Sequence, residues 1–221
     1  MTNIKNNLEE INKNLKSIDL ANKVTLVAVS KQQSIDKIIQ AIHVGQKIFG
    51  ENYLQEAIKK IELLKEHKLE WHFIGPIQSN KCKLIAENFS WVHTVDRLKI
   101  ARRINEAREN MSPINICIQI NISQEDTKSG LLLDDLDNFA DELKTYDNLK
   151  IRGLMAIPSN SLSDEKLTIE FNLLRDKYEV MKKKYLSMDT LSMGMSNDYL
   201  LAIKNGSNLV RIGSKIFGKR T

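Results

Sequence analysis

Apolar runs and amphipathic stretches alternate eight times along this sequence of 221 residues, and this alternation constrains the fold more than any other feature. Residues 24–29 form a short β-branched run typical of a buried strand, and residues 34–44 carry isoleucines at the three- and four-residue steps of a helix. The pattern then repeats. Further strands are predicted at 47–49, 71–74, 91–95, 114–122, 151–157, 190–193 and 209–212, and further helices at 54–64, 79–87, 97–109, 133–144, 164–184, 198–205 and 214–217.

Strict alternation of strands and helices predicts a parallel sheet that is covered by helices. An open doubly wound sheet rarely needs eight such units, whereas a closed barrel needs all eight, and about 200 residues is near the lower size limit of that fold. We therefore predict an α/β fold, a (β/α)8 TIM-type barrel, preceded by an amphipathic helix in residues 1–20. Since no linker or low-complexity tract divides the chain, residues 1–221 are expected to form a single domain.

Composition and charge exclude several classes of function. The net charge is +5, but 33 cations are interspersed among 28 anions, and the densest run, at 182–184, falls at a predicted helix end. A nucleic-acid surface would need cations gathered on one face, so none is expected. Residues 1–20 have no apolar core of the kind a signal peptide needs, and no apolar run approaches the roughly 20 residues that span a bilayer, which predicts a cytoplasmic protein with no membrane partner. Cys82 and Cys117 lack the spacing of a metal or redox motif, so no metal site is expected.

Lys31 directly follows the first predicted strand, and functional side chains of a barrel gather at the carboxyl ends of its strands. A lysine at such a position can extend its stem so that the ammonium reaches water. It can also lie in a partly dehydrated barrel mouth, where burial lowers the amine pKa and leaves a nucleophile able to form a Schiff base with an aldehyde. The residues alone leave both interpretations open.

The last two units of the chain suggest an anion site. In barrels, phosphate often binds at the loops after strands seven and eight, where a short helix begins. Gly213 permits close backbone approach there, and Ser196 and Ser214 add hydroxyl groups. Ser196 or Asn197 could instead cap the helix predicted at 198–205. An anion site and a lysine in one barrel mouth suit an aldehyde that carries a phosphate.

Arg211 ends the eighth predicted strand, and an inward-facing arginine needs a partner because it cannot lose its charge. One possibility is a buried ion pair with a carboxylate such as that of Glu51. The other is a functional donor to a ring nitrogen or to a phosphate.

Six motifs follow one another along the chain. They are VAVSK at 27–31, FGENY at 49–53, WHFIGPIQSNK at 71–81, GLMA at 153–156, LSMGMS at 191–196 and VRIGSKIFG at 210–218. In content and order they resemble the pyridoxal phosphate homeostasis protein family, which is related to the N-terminal barrel of alanine racemase. The resemblance extends over about residues 20 to 219.

The resemblance implies a barrel that binds pyridoxal 5′-phosphate (PLP). Lys31 matches the family lysine that forms the internal aldimine, and Arg211 matches the arginine beside the pyridine nitrogen. The family more often has threonine where Ser214 stands, which keeps the hydroxyl group. The remaining matches are Ser196, Gly213 and Ser214 in the phosphate cradle, Asn52 and Met193 along the ring, and Ser192 and His72 within matched motifs. His72 is expected either to orient its neighbours from within the barrel or to be an ordinary core histidine.

The same residues bear on whether the protein is an enzyme. PLP chemistry uses the ring as an electron sink, and a guanidinium at the pyridine nitrogen opposes protonation of that nitrogen. Racemases add a second base from another domain, for which the chain, ending at Thr221, is expected to have no room. We therefore expect a monomeric PLP carrier or regulator in vitamin B6 and amino- and keto-acid balance, with apo-enzymes that receive PLP as partners. The alternative is a slow PLP-dependent racemase or other PLP enzyme, with His72 or Lys31 as its base.

Overall fold

The computed structural model describes residues 3–18, 24–159 and 163–218. Eight parallel strands close into a barrel in chain order, and the last strand pairs with the first. The strands are β1 (Thr25–Val29), β2 (Ile48–Glu51), β3 (Glu70–Phe73), β4 (Trp91–Val95), β5 (Ile114–Ile120), β6 (Leu149–Ala156), β7 (Thr190–Ser192) and β8 (Leu209–Ile212). The predicted (β/α)8 barrel is thus confirmed, and the open doubly wound sheet is excluded.

Helices surround the barrel: the first precedes β1, and one helix follows each strand. They are α1 (Ile4–Ile18), α2 (Ile35–His43), α3 (Leu54–Leu63), α4 (Cys82–Asn88), α5 (Leu98–Ala107), α6 (Leu136–Leu143), α7 (Asp164–Lys184), α8 (Tyr199–Lys204) and α9 (Ser214–Phe217). Ser34 caps α2 as expected, since its hydroxyl accepts a hydrogen bond from the backbone N–H of Lys37. The helices predicted to start at 79 and 133 begin instead with 3-10 turns, Ser79–Lys81 and Leu133–Asp135.

The leading helix belongs to the main core, which lies between the barrel and its helices. Ile4, Leu8, Ile11 and Leu15 form one buried face of α1. That face packs against α2, α8 and α9, the helices nearest β1 and β8 in the chain. The helix predicted for residues 1–20 is therefore confirmed over Ile4–Ile18, and residues 1–2 and 19–20 lie outside the described part of the chain. In that described part, no helix combines the length and the apolar character needed to cross a membrane.

A row of polar side chains crosses the inside of the barrel. Alternate residues of a strand face opposite sides of the sheet, and the inward positions include Glu70 and His72 of β3, His93 of β4, Ser192 of β7 and Arg211 of β8. A small apolar cluster accompanies these groups: Trp91, Cys117 and Met155. The interior therefore combines a packed apolar patch with a line of hydrogen-bonding side chains.

Candidate cofactor-binding site

A cavity of about 240 Å³ opens at the carboxyl ends of β1, β2 and β8 and beside the loop after β7. Six of the residues predicted for the site line it: Lys31, Asn52, Ser196, Arg211, Gly213 and Ser214. Ile74 and Ile157 add apolar walls that the sequence reasoning did not identify. A neighbouring cavity of about 290 Å³ shares Asn52 and both isoleucines, so the barrel mouth continues toward the ends of β4 and β5.

Lys31 and Asn52 are held in place by a buried ionic cluster on the other face of their strands. Because side chains alternate, Ser30 and Glu51 face outward toward α3. The ammonium of Lys60 on α3 donates to the Ser30 carbonyl at 2.7 Å and to Glu51 Oε1 at 2.8 Å, and the Ser30 hydroxyl donates to the same carboxylate at 2.6 Å. Burial raises the pKa of Glu51, although Lys60 opposes that shift. The cluster joins the ends of β1 and β2 to one helix.

Arg211 is buried, with 4% of its surface exposed, and backbone carbonyls rather than a carboxylate surround it. Nη1 donates to the Ser192 carbonyl at 2.8 Å and to the Ser192 hydroxyl at 2.5 Å, and Nη2 donates to the Ala156 carbonyl at 2.9 Å. The ion pair with Glu51 that the sequence left open is therefore absent, because Glu51 faces Lys60. Burial lowers the pKa of Arg211 to about 10, so the group stays cationic at neutral pH. A guanidinium has five N–H groups, and these bonds leave donors for a ligand in the cavity.

Ser196 binds the start of the last helix and does not cap α8. Its hydroxyl oxygen accepts hydrogen bonds from the backbone N–H groups of Gly213 and Lys215, each at 3.3 Å. The carboxylate of Asp198 accepts from the N–H of Met195 at 2.6 Å just before α8. At Gly213 a Cβ would lie 3.2 Å from the Val29 carbonyl oxygen, so a larger residue would crowd β1. The predicted anion-binding residues thus lie together at the end of β8.

Three predicted site residues do not line this cavity. Met193 is fully buried in the main core outside the barrel, because its predecessor Ser192 faces inward and the next side chain must face outward. Met195 lines the cavity instead. Ser192 does not line the cavity but accepts a hydrogen bond from Arg211, which does. His72 lines a different cavity, of about 390 Å³, near the amino ends of the strands.

His93, which the sequence reasoning missed, connects His72 to Ser192. Its Nε2 lies 2.9 Å from Nδ1 of His72, and its Nδ1 lies 3.0 Å from the Ser192 hydroxyl. Nε2 of His72 lies 2.7 Å from a carboxylate oxygen of Glu70. Burial lowers the pKa of both histidines, most strongly that of His93, while Glu70 opposes the shift at His72. The one available sequence signal was position: His93 lies two residues after Trp91 in a predicted strand, and hence on the same face.

These two histidines should make the protein less stable in mild acid. Their ordinary pKa is 6.5, and burial lowers it in the folded state. Above pH 6.5 both states hold neutral imidazoles. Below pH 6.5 the unfolded chain takes up more protons than the folded protein, so the free energy of unfolding decreases as the pH falls, by up to about 1.4 kcal/mol per pH unit for each histidine.

Urea unfolding at about pH 7.5 and about pH 5.5 measures this effect. His93→Gln should reduce the difference in unfolding free energy between the two pH values, whereas His43→Gln, at an exposed position, should leave that difference as it is in the native protein. An unchanged pH dependence in His93→Gln would contradict the assignment of a buried neutral imidazole.

Comparison with known proteins places this geometry in a family. The family model for the alanine racemase N-terminal domain matches residues 2–221. The pyridoxal phosphate homeostasis protein of Vibrio cholerae is 44% identical over 230 residues, covering 100% of this chain and 98% of its own. That of Escherichia coli K12 is 47% identical over 204 residues, covering 89% of this chain and 86% of its own.

A solved structure extends the likeness to three dimensions. The PLP-bound structure of PipY from Synechococcus elongatus superposes with a TM-score of 0.89 at 31% identity, covering 98% of this chain and 100% of PipY. The resemblance of the six sequence motifs is thereby confirmed over nearly the whole chain. This chain belongs to the family of pyridoxal phosphate homeostasis proteins, whose barrel is that of the alanine racemase N-terminal domain.

Proposed function

We propose that the protein binds PLP in the 240 Å³ cavity, holds it as a Schiff base on Lys31, and serves vitamin B6 homeostasis as a reversible carrier. In this proposal it is a cytoplasmic, single-domain monomer that limits the free aldehyde, supports amino- and keto-acid balance and supplies PLP to apo-enzymes. The observation that carries the proposal is the convergence of an amine, a guanidinium and the Ser196–Gly213–Ser214 group on one cavity. The relatives named above support it.

The chemistry of the lining residues fits PLP. A buried polar atom without a partner is uncommon in folded proteins, and the Oδ1 atom of Asn52 is buried without a hydrogen-bond partner among the described residues. This atom is a polar contact available to a ligand. The amine of Lys31 and the hydroxyl groups of Ser196 and Ser214 line the same cavity, which suits a ligand that carries both an aldehyde and a phosphate.

Each group then has a defined task. When bound, PLP supplies an aldehyde that reacts reversibly with amines and a ring that withdraws electrons. Lys31 provides the attacking amine. Arg211, which its carbonyl partners hold in place, would donate to the ring nitrogen. Ser196 and Ser214 would offer hydroxyl groups to the phosphate and Gly213 would permit close approach of the backbone, at a helix start where the positive end of backbone dipoles favours an anion.

Arg211 also supports carriage over catalysis. With a pKa of about 10 it remains a cation at neutral pH, and a cation at the pyridine nitrogen disfavours protonation of the ring. Ring protonation strengthens the electron sink that amino-acid chemistry requires. His72, one of the two bases considered for a racemase, lines another cavity and is separated from Arg211 by His93 and Ser192.

The test is the absorbance spectrum of the purified protein with PLP, followed by borohydride reduction and peptide mass mapping. We expect a yellow band that borohydride removes, with the pyridoxyl label on the peptide that contains Lys31. A colourless protein that stays unlabelled in excess PLP would overturn the proposal. Deuterium exchange at the α-carbon of common amino acids separates carrier from enzyme, because incorporation with turnover would establish catalysis.

A further inference from the structure

A continuous line of hydrogen bonds crosses the barrel interior between its two mouths. It begins at Glu70, whose side chain is 43% exposed at the amino-terminal mouth, and ends at Arg211 in the candidate cofactor cavity. The steps are 2.7 Å from Glu70 to His72, 2.9 Å from His72 to His93, 3.0 Å from His93 to the Ser192 hydroxyl and 2.5 Å from there to Nη1 of Arg211. The inner members of this line are buried, with His72 1% exposed and His93 and Ser192 0% exposed.

The chemistry of its two ends gives the line one direction. An ionised carboxylate only accepts hydrogen bonds, and the contact with His72 lowers the pKa of Glu70, so His72 must donate from Nε2–H. A neutral imidazole carries one proton, hence Nδ1 of His72 accepts from Nε2–H of His93. Nδ1 of His93 then accepts the hydroxyl proton of Ser192. The oxygen of Ser192 is left to accept from the guanidinium, which only donates.

We propose that Glu70, His72 and His93 are positioning residues for Arg211, because their one-way hydrogen bonds aim the lone pair of Ser192 at the guanidinium. This inference rests on the proposed function in one respect: Arg211 is taken to face bound PLP. Arg211 has no carboxylate partner within 4 Å among the described residues, and Asp198, which lines the same cavity, favours its charge from farther away. Glu70 acts differently: it fixes the direction of the three intervening hydrogen-bonding groups and so the orientation of the Ser192 hydroxyl that Arg211 contacts. A chain of hydrogen bonds with one direction is also cooperatively strengthened.

This line of hydrogen bonds predicts that a change at Glu70 affects the cofactor cavity at the opposite mouth of the barrel. Without the acceptor at Glu70, both imidazoles can exchange tautomers, and the Ser192 proton can turn toward Arg211 and repel it. A substitution at the amino-terminal mouth should then alter PLP binding at the opposite mouth. A merely structural role for Glu70 would leave the bound cofactor unchanged, because its side chain does not line the cofactor cavity.

The first experiment uses the full chain without PLP. Nitrogen-15 NMR of the histidine rings at neutral pH should show His72 and His93 each protonated at Nε2 and unprotonated at Nδ1. Glu70→Gln, which keeps an accepting oxygen, should preserve this pattern, and Glu70→Leu should populate the other tautomer of His93. A proton on Nδ1 of either histidine in the native protein would overturn the inference, whatever the protein binds.

The second experiment adds PLP and measures its affinity and the absorbance maximum of the Schiff base. Glu70→Leu and His93→Phe should each weaken binding about tenfold, the change expected for one misplaced bond to a charged group, and should shift the maximum. Glu70→Gln should restore both readouts, and Met155→Leu, a volume-conserving change among the interior apolar residues, should alter neither. Unchanged affinity and spectrum in Glu70→Leu would refute the positioning role. Failure of the native protein to take up PLP would instead refute the proposed function. The tautomer measurement would still decide whether the hydrogen bonds from Glu70 to Arg211 have the proposed direction.

Discussion

Replacing Lys31 with methionine should abolish borohydride-trapped labelling and weaken PLP binding by about 100-fold or more. Methionine keeps the length and apolar character of the lysine stem but has no amine, so the covalent bond to the aldehyde cannot form. The contacts from Asn52, Arg211 and the residues at the end of β8 would remain, which leaves reversible non-covalent binding. Titration of PLP by absorbance and mass mapping after reduction measure both effects.

The matched control is Lys47→Met, an exposed lysine just before β2. It should trap PLP as the native protein does. Equal labelling of the Lys31→Met protein at native PLP concentrations, on another lysine and with native affinity, would show that Lys31 is not the anchor. The cavity would then need a different assignment for its amine.

Lys60→Met should lower the free energy of unfolding by about 3 kcal/mol, because it leaves the Glu51 carboxylate buried without its cation. Lys60 is 6% exposed and Glu51 0% exposed in this pair, so water cannot replace the lost partner. The Ser30 carbonyl also loses a donor. Urea unfolding monitored by circular dichroism measures the loss.

Two further variants make this prediction specific. Lys59→Met changes the exposed neighbour on the same helix and should have little effect on stability. Adding Glu51→Gln to Lys60→Met should recover most of the loss, because the uncompensated charge is removed. If the double variant is as unstable as Lys60→Met, the unpaired Glu51 carboxylate does not account for the effect, which then comes from lost packing or from the lost contacts of Lys60 with Ser30 and Glu56.

Much of the fold and part of the site were predictable from local patterns. The β-branched runs and the three- and four-residue steps of apolar residues depend only on neighbouring residues, and they placed β4, β8, α7 and α9 at their observed bounds. Barrel closure followed from the number of units. Because the carboxyl ends of parallel strands meet at one mouth, Lys31, Asn52 and Arg211 could be expected to share a cavity, as they do.

Local sequence patterns could not predict which charged groups pair with one another. Glu51 was considered as a partner for Arg211, but the two face opposite sides of the barrel wall, and Glu51 contacts Lys60. His72 and Met193 lie within motifs that match the family, yet neither side chain lines the cavity. His93 lies in the middle of β4 rather than after its carboxyl end, where functional residues were sought, and it is the group that connects His72 with Ser192.

The sequence by itself determined the order and type of the elements, the closed barrel and the residues that end each strand. Only the tertiary structure decided which side chains face the interior and which face the helices. The physical reason is that both faces of a parallel strand are buried in a barrel, so hydrophobicity does not distinguish inside from outside. That choice depends on the register between neighbouring strands, such as Gly50 beside His72 and Val27 beside Arg211. A shift of one residue would exchange the two faces, and with them the partners of Glu51, His72 and Met193.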